Sequence, residues 1–420
     1  MYSLAIYIYM FCVNVVAIFN KKARLLMVGH SKTYRILREQ IDPQAQYIWF
    51  HAASLGEFEQ GRPLIEELRR RHPQYKILLT FFSPSGYEVR KDYPGADIVT
   101  YLPLDTIANA RRFLRAIRPV MAFFIKYEFW YNYLHILKHR HVPVYSVSSI
   151  FRPGQVFFRW YGSEYGRVLR CFTHFFVQNQ VSKDLLAKLK ITDVSIVGDT
   201  RFDRVLQIKQ QAKVLPVVEQ FKSSGKVFVA GSSWLPDEEI FIPYFLKEKP
   251  DWKLIIAPHK IDEDHLQQIE KLLEGRRVVR YTEMMKCQSP ATNPQSPLTE
   301  PPSEADVLII DCFGLLSSIY RYADIAYVGG GFGVGIHNLP EAAVWGVPVF
   351  FGPNNQRFQE AQDLKECGGG VEIADYGDFR SKMEVFAGDT SKCEEAGRRA
   401  ANYIKEKSGA TEKVLSALGL

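Results

Sequence analysis

The sequence is sparing with cysteine, and no two of its six cysteines (Cys12, Cys171, Cys287, Cys312, Cys367, Cys393) form a CxxC pair. That spacing excludes a thiolate-rich zinc site and a disulfide framework, and it fits a reducing compartment. Neither GxGxxG nor a Walker A motif occurs, so the two commonest phosphate-cradle fingerprints are absent. Residues 1–20, MYSLAIYIYMFCVNVVAIFN, contain no charged side chain, and Lys21, Lys22 and Arg24 follow at once. No basic stretch precedes this run and no A-x-A site ends it, which argues against a cleaved signal peptide. Its length approaches the ~20 apolar residues that cross a bilayer. Residues 1–24 are therefore expected to form a membrane anchor, with the basic flank keeping the rest of the chain cytoplasmic. The competing reading is a buried first helix.

The remainder has the composition of a folded protein. Of 420 residues 47% are hydrophobic and 24% charged, enough for two domains. A net charge of +7 suits an anionic partner such as a phospholipid surface, a phosphorylated substrate or nucleic acid. Strand-like runs at Tyr47–His51, Lys76–Phe82, Val120–Tyr127, Val142–Val147, His174–Val177 and Val194–Val197 alternate with helical patterns such as Phe58–Arg71 and Ile107–Ile117. The pattern restarts with Lys226–Ala230, Lys253–Ala257, Arg276–Tyr281, Val307–Asp311, Ile325–Val328 and Pro348–Phe351. Such alternation predicts an α/β protein with two doubly wound, Rossmann-like domains, facing each other across a cleft where a ligand binds. We place the first at residues 25–205 and the second at 226–400, with a C-terminal helix at 401–420. The polar stretch Arg204–Gly225 supplies a linker over 206–225. Residues 285–305, rich in Pro, Ser, Thr and Asn, are expected to form a mobile surface loop.

In doubly wound sheets ligands sit at the carboxyl ends of the strands, so chemistry is sought just after each one. HAASLGEFEQG follows the first strand: Ser54 can cap a helix, Gly56 permits close approach, and Glu57 lies in the first turn. Glu57 either complements the helix dipole or takes a proton from a substrate hydroxyl. Its helix-end position should lower its pKa, so basicity needs help from burial or a neighbouring acid. Glu128 ends the apolar strand FFIKYEFWYN on the same sheet edge, where it is paired with Lys126 or an arginine, solvated, or functional.

In the second half Gly231-Ser232-Ser233, Pro258-His259-Lys260 and Phe313-Gly314-Leu315 each follow a strand. The most distinctive stretch is GGGFGVGIHNLPEAA, in which five glycines fall within seven residues from Gly329 to Gly335. Asn338-Leu339-Pro340-Glu341 then starts a helix. Glu341 could accept hydrogen bonds from ribose hydroxyls, with phosphate met by the helix N-terminus. The alternative is a glycine-rich turn capped by Asn338.

HAASLGEF, VGDTRFD (Val197–Asp203), GGGFGVGIHNLPEAA and GVPVFFGP together resemble the Kdo transferases, over nearly the whole chain and in the family's order. That family moves 3-deoxy-D-manno-octulosonic acid (Kdo) from CMP-Kdo onto the lipid A precursor. The resemblance implies a GT-B fold, with the acceptor on the first domain and the CMP-sugar on the second. It implies that Glu57 is the proton acceptor and Glu128 a second catalytic carboxylate. Arg201 stands where the family usually has a transition-state lysine. Pro258-His259, Phe313-Gly314-Leu315 and Asn338-Leu339-Pro340-Glu341 match the CMP-contacting stretches. The family's Pro-Arg-His reads Ala-Pro-His-Lys here, its Gly-Glu reads Gly314-Leu315, and its Asn-Pro-Leu-Glu reads Asn-Leu-Pro-Glu. Expected partners are CMP-Kdo, the lipid A precursor and inner-membrane lipids at the cytoplasmic face, with no nucleic acid, cofactor or metal. Arg69-Arg70-Arg71 and Arg111-Arg112-Arg115-Arg118 either face anionic lipid or form solvated helix surface. Competing functions are a GT-B enzyme using a UDP-sugar on another lipid, a UDP-sugar epimerase, and a non-catalytic membrane-tethered module.

Overall fold

The computed structural model describes residues 2–287, 302–333 and 335–420. Apolar runs rich in aromatic and β-branched residues become fourteen strands in two parallel sheets, each buried on both faces, as all-parallel sheets require. The first sheet comprises β1 (Gln46–Ala52), β2 (Tyr75–Phe81), β3 (Ile98–Tyr101), β4 (Met121–Ile125), β5 (Val144–Ser149), β6 (His174–Val177) and β7 (Val194–Ile196). Its order is β3-β2-β1-β4-β5-β6-β7. The second comprises β8 (Val227–Ser233), β9 (Lys253–Pro258), β10 (Val278–Arg280), β11 (Val307–Ile309), β12 (Ile325–Val328), β13 (Val349–Phe351) and β14 (Gly370–Glu372), ordered β10-β11-β9-β8-β12-β13-β14.

The two-residue period of β1 divides the first core. Trp49 joins Leu78, Phe113, Phe124 and Tyr133 on one face of the sheet. Ile48 and Phe50 join Phe58, Leu64, Ile65 and Phe123 on the other. All of these are essentially inaccessible to water, and each fully buried large side chain contributes roughly 1.5–3 kcal/mol. In the second sheet Phe228, Tyr327 and Phe350 pack with Phe241, Phe245 and Phe379 in the same manner.

The chain divides into two compact units, one running to Arg204 and recovering Ser408–Leu420, the other spanning Val205–Lys407. Several boundaries differ from the sequence reading. β3 and β14 were not expected: both are short edge strands, and β14 has little apolar run of its own. The polar linker is instead two helices, Thr200–Gln211 and Pro216–Lys222, whose apolar stripes (Val205; Val217, Val218, Phe221) are buried. The expected helix at 401–420 is the end of Thr390–Lys407, a break at Gly409, and a separate helix Ala410–Leu418. Of the expected loop at 285–305, residues 288–301 lie outside the described residues, and its flanks are the helix Tyr281–Cys287 and a turn at Pro302–Glu304.

The apolar N-terminus also differs. It forms α1 (Tyr2–Ala17), only 16 residues, and Asn20 then starts α2 (Lys21–Gln40) by accepting from the Lys22 and Ala23 amides. At 1.5 Å per residue α1 is about 24 Å long, short of the ~30 Å hydrocarbon core. Among the described residues no helix is long and apolar enough to cross a membrane. Arg24 does more than flank the run: its guanidinium donates to the carbonyls of Ala17 and Ile18 at the end of α1. The start of α1 is tied to the first unit, where the Tyr2 hydroxyl donates to Asp105 Oδ2 at 2.6 Å and its ring lies 5.1 Å from that of Tyr131.

Asp203, part of the VGDTRFD motif, ties the last helix to the first unit. Its carboxylate accepts from the Gly409 amide (2.5 Å), the Thr411 amide (2.7 Å) and the Thr411 hydroxyl (2.7 Å). Ala410, Val414 and Leu415 then bury against the core face that holds Phe58 and Leu64. Asp203→Ala should therefore lower unfolding stability by about 1–3 kcal/mol. Amide exchange should accelerate selectively over residues 410–418; unchanged protection there would show that apolar packing alone holds the helix.

Candidate active site

In the first sheet β1 lies between β2 and β4, so the crossover connections diverge at the carboxyl ends of β1 and β4. Such a switch point leaves a crevice in the middle of an otherwise packed edge. The segments emerging there are Ala53–Glu57 and Lys126–Trp130. In the second sheet β8 lies between β9 and β12, so the same rule selects Ser232–Trp234 and the Gly329–Gly331 loop.

Glu57 stands in the first turn of α3 (Leu55–Arg71), and its Oε2 accepts from both the Ser54 amide (2.9 Å) and the Ser54 hydroxyl (3.1 Å). The helix-dipole reading is thus met, yet it does not set the acidity. Burial, followed by the nearby charge of Glu128, raises the Glu57 pKa, outweighing the lowering by Ser54, His51 and Lys126. The expected lowering is overturned, and the help that basicity needed comes from burial and Glu128. Oε1 takes no hydrogen bond among the described residues. A methyl group on Gly56 would meet nothing within 4 Å, so the space beside the carboxylate is open.

Glu128 is not paired with Lys126 or an arginine. Its Oε2 accepts from the Trp130 indole at 2.6 Å and lies 3.1 Å from His51 Nε2. His51 is fully buried, and its Nδ1 lies 2.9 Å from the Thr80 hydroxyl, which also accepts from the Trp49 indole. An ionised Glu128 draws a proton onto His51 Nε2, while the Thr80 hydroxyl also donates to the Phe50 carbonyl at 3.2 Å. Sequence reasoning quoted His51 and Trp130 but gave them no role. A histidine in so apolar a strand, beside a strand that ends in a glutamate, was the available signal. Arg201, in the first turn of Thr200–Gln211, is fixed by Asp199, which accepts from its amide (2.9 Å) and its Nε (2.8 Å).

In the second unit the rings of Trp234, His259 and His337 stack in sequence, with centroids 4.7 and 4.3 Å apart. The Trp234 indole donates to His337 Nε2 at 3.2 Å, so the His337 proton sits on Nδ1. Burial lowers both histidine pKa values, for His337 with the added effect of His259. Pro258 ends β9, and the His259 amide donates to the Ser233 carbonyl. Phe313 is 81% exposed, Gly314 takes a left-handed turn, and Leu315 precedes the short helix Leu316–Ile319.

The glycine loop is explained mainly by packing. A Cβ on Gly329 would fall 2.4 Å from the Ser232 carbonyl oxygen, and one on Gly331 would fall 2.5 Å from Gly352 Cα. Backbone therefore meets backbone at these two positions, leaving no space for a ligand. The helix after it, Leu339–Ala343, has only five residues, too few for the macrodipole that the phosphate reading invoked. Asn338 does not cap it either. Its side chain donates to Glu341 Oε1 (2.7 Å), and Ser317 donates to Oε2 (2.8 Å). Glu341 is thus oriented by two donors, beside Leu339 and Pro340, which are buried.

Like-charge coupling between the two carboxylates is directly measurable. Glu128→Gln should lower the Glu57 pKa in a carboxyl-carbon NMR titration, because it removes the second-largest cause of its elevation. An unmoved titration would leave burial as the whole cause.

Residues 28–204 match the family described as 3-deoxy-D-manno-octulosonic-acid transferase (kdotransferase). The 3-deoxy-D-manno-octulosonic acid transferase of Aquifex aeolicus (strain VF5) is 27% identical over 369 residues, covering 86% of this chain and 92% of that protein. The enzyme of the same name from Haemophilus influenzae is 24% identical, covering 90% and 87%. In fold the chain is similar to the UDP-GlcNAc 2-epimerase of Neisseria meningitidis, solved with UDP-GlcNAc (TM-score 0.58, 13% identity, 86% and 99% coverage). It is also similar to an Anabaena protein solved with UDP-glucose (TM-score 0.51, 11% identity, 89% and 99% coverage). These likenesses show the architecture alone, two Rossmann-like units of the GT-B type. Its sequence relatives span both units and are 3-deoxy-D-manno-octulosonic acid transferases, the glycosyltransferases to which this chain is similar.

Proposed function

We propose that the protein transfers Kdo from CMP-Kdo to the lipid A precursor with inversion at the anomeric carbon. The observation that carries this reading is Glu57: a half-buried carboxylate at a switch point, made more basic by burial and Glu128, with one oxygen uncommitted. Its ionised Oε1 removes the proton from the acceptor's glucosamine 6-hydroxyl as that oxygen attacks Kdo. Glu128, oriented by His51 and Trp130, stabilises the developing positive charge and keeps Glu57 basic. Arg201, steadied by Asp199, meets the negative charge that builds on the departing CMP. In the second unit Glu341 takes the ribose hydroxyls and the Trp234–His259–His337 stack flanks the nucleotide.

We further propose that α1 lies in the inner-membrane interface, at the cytoplasmic face, without spanning the bilayer. Ile8, Phe11, Ile18 and Phe19 are 56, 69, 66 and 87% exposed, a concentration of apolar surface unusual for a soluble face. Exposed Lys21 and Lys22 adjoin it, and unpaired cysteines suit the cytoplasmic side.

Two measurements check these readings. Glu57→Gln should bind CMP and melt as the wild type does, while kcat for Kdo transfer to the lipid A precursor falls ~10²- to 10⁴-fold. The wild-type acid limb of kcat/KM should lie above the ordinary carboxylate range and move down in Glu128→Gln. Near-normal turnover by Glu57→Gln would transfer the base role to another residue, and transfer from a UDP-sugar instead would replace the donor. For the interface, Phe11→Glu with Phe19→Glu should abolish flotation with anionic vesicles and leave CMP affinity intact. Retained flotation would assign membrane binding to the basic helices.

A further inference from the structure

Lys126 follows β4, and beyond its effect on the Glu57 pKa it has no role in the chemistry described above. Its backbone is left-handed, with φ of 66°, a conformation that costs any residue with a side chain. The surroundings enforce it: the Lys126 amide donates to the Val147 carbonyl at 2.9 Å, and the Ser149 hydroxyl donates to the Lys126 carbonyl at 3.0 Å. The neighbouring strand repeats the feature, since Ser148 sits at φ 54° in a bulge of β5. The ammonium lies close enough to Glu57 and Arg201 for their charges to act on it.

The ammonium there is half-buried yet makes no hydrogen bond and no ion pair within 4 Å among the described residues. The Tyr127 ring lies near it, with its centroid 5.5 Å from Nζ. The charged groups that act on it are Arg201, Asp199, Glu57 and Arg152. Asp199 is already committed to Arg201 and Gln60. The positive charges of Arg201 and Arg152 therefore act on Lys126 together with Glu57, whose Oε1 is left without a donor among the described residues. Burial, then Arg201, lowers the Lys126 pKa, as expected of a cation held without a partner. A strained, desolvated and unpartnered ammonium is costly unless a ligand supplies the missing anion.

We propose that Lys126 binds a substrate anion, receiving a carboxylate or phosphate oxygen on its ammonium beside Glu57. This rests on the reading of the chain as a Kdo transferase, in which two groups offer that chemistry: the carboxylate of the transferred sugar acid and the phosphates of the acceptor. Either would bring a negative charge next to Glu57, and Lys126 neutralises it, so that the base keeps its place as the substrate arrives.

The test uses the full-length protein and Lys126→Gly, since glycine adopts the left-handed backbone freely and removes only the side chain. The melting temperature should stay at or above that of the wild type while kcat/KM falls 10- to 100-fold, with Lys126→Arg recovering part of the loss. If KM for CMP-Kdo carries the effect, the anion is the sugar carboxylate. If KM for the acceptor carries it and the difference disappears with a dephosphorylated acceptor, the anion is phosphate. Kinetics within twofold of the wild type for both substrates would overturn the proposal, as would a Lys126→Gly protein that unfolds. Wild-type turnover reports only on the function reading, and the variant-to-wild-type ratio only on Lys126.

Discussion

A parallel sheet covered on both faces has no room for polar chemistry except where its strands end, and this constraint organises both units. Trp49, Phe50, Phe123 and Phe124 fill the two sides of the first sheet so completely that a charged group on β1 or β4 must emerge at the carboxyl end. Because the chain begins each sheet in its middle, the connections diverge there and leave the edge uncovered. Glu57 and Glu128 follow from that geometry. Each is close enough to the apolar core to lose water and close enough to the crevice to keep one oxygen free.

The same proximity to the core explains why the carboxylates behave as they do. A first-turn glutamate normally gains acidity from the helix dipole, and Glu57 does take two hydrogen bonds from Ser54. Burial and a second carboxylate nevertheless win, because desolvation acts on the whole charge while the dipole acts only near the helix end. Glu128 is prevented from drifting away by His51, itself wedged between Thr80 and the aromatic rings of Trp49, Phe124 and Trp130. Core packing thus holds the Glu128 carboxylate in place at the strand end.

The long apolar strands, and the residues that follow them, were legible in the sequence because burial on both faces leaves a run that polar loops interrupt. Short edge strands such as β14 lack that run, and the helices at 200–222 hide their apolar stripe in a polar sequence. Glu57 and Glu128 stood out because charge after an apolar strand is conspicuous, whereas Arg201 was named only through the family resemblance. His51 and Lys126 did not stand out, since their roles depend on partners 29 and 77 residues away for His51, and on a backbone angle for Lys126. The glycine loop carries a packing role that its composition did not show. Its composition suggested a ligand cradle, whereas Gly329 and Gly331 answer to backbone contacts with Ser232 and Gly352 that only the fold creates.

The N-terminus illustrates how a composition can be right about chemistry and wrong about geometry. An uncharged run of twenty residues satisfies the apolar criterion for a bilayer span, but a span also needs one uninterrupted helix. Asn20 forbids that here: its side chain accepts from the Lys22 and Ala23 amides, which starts α2 and frees the end of α1. Arg24 then closes the turn by taking the orphaned carbonyls of Ala17 and Ile18. A helix so ended, and tied at its start through Tyr2 to Asp105, leaves Ile8 and Phe11 outward without the length of a bilayer span.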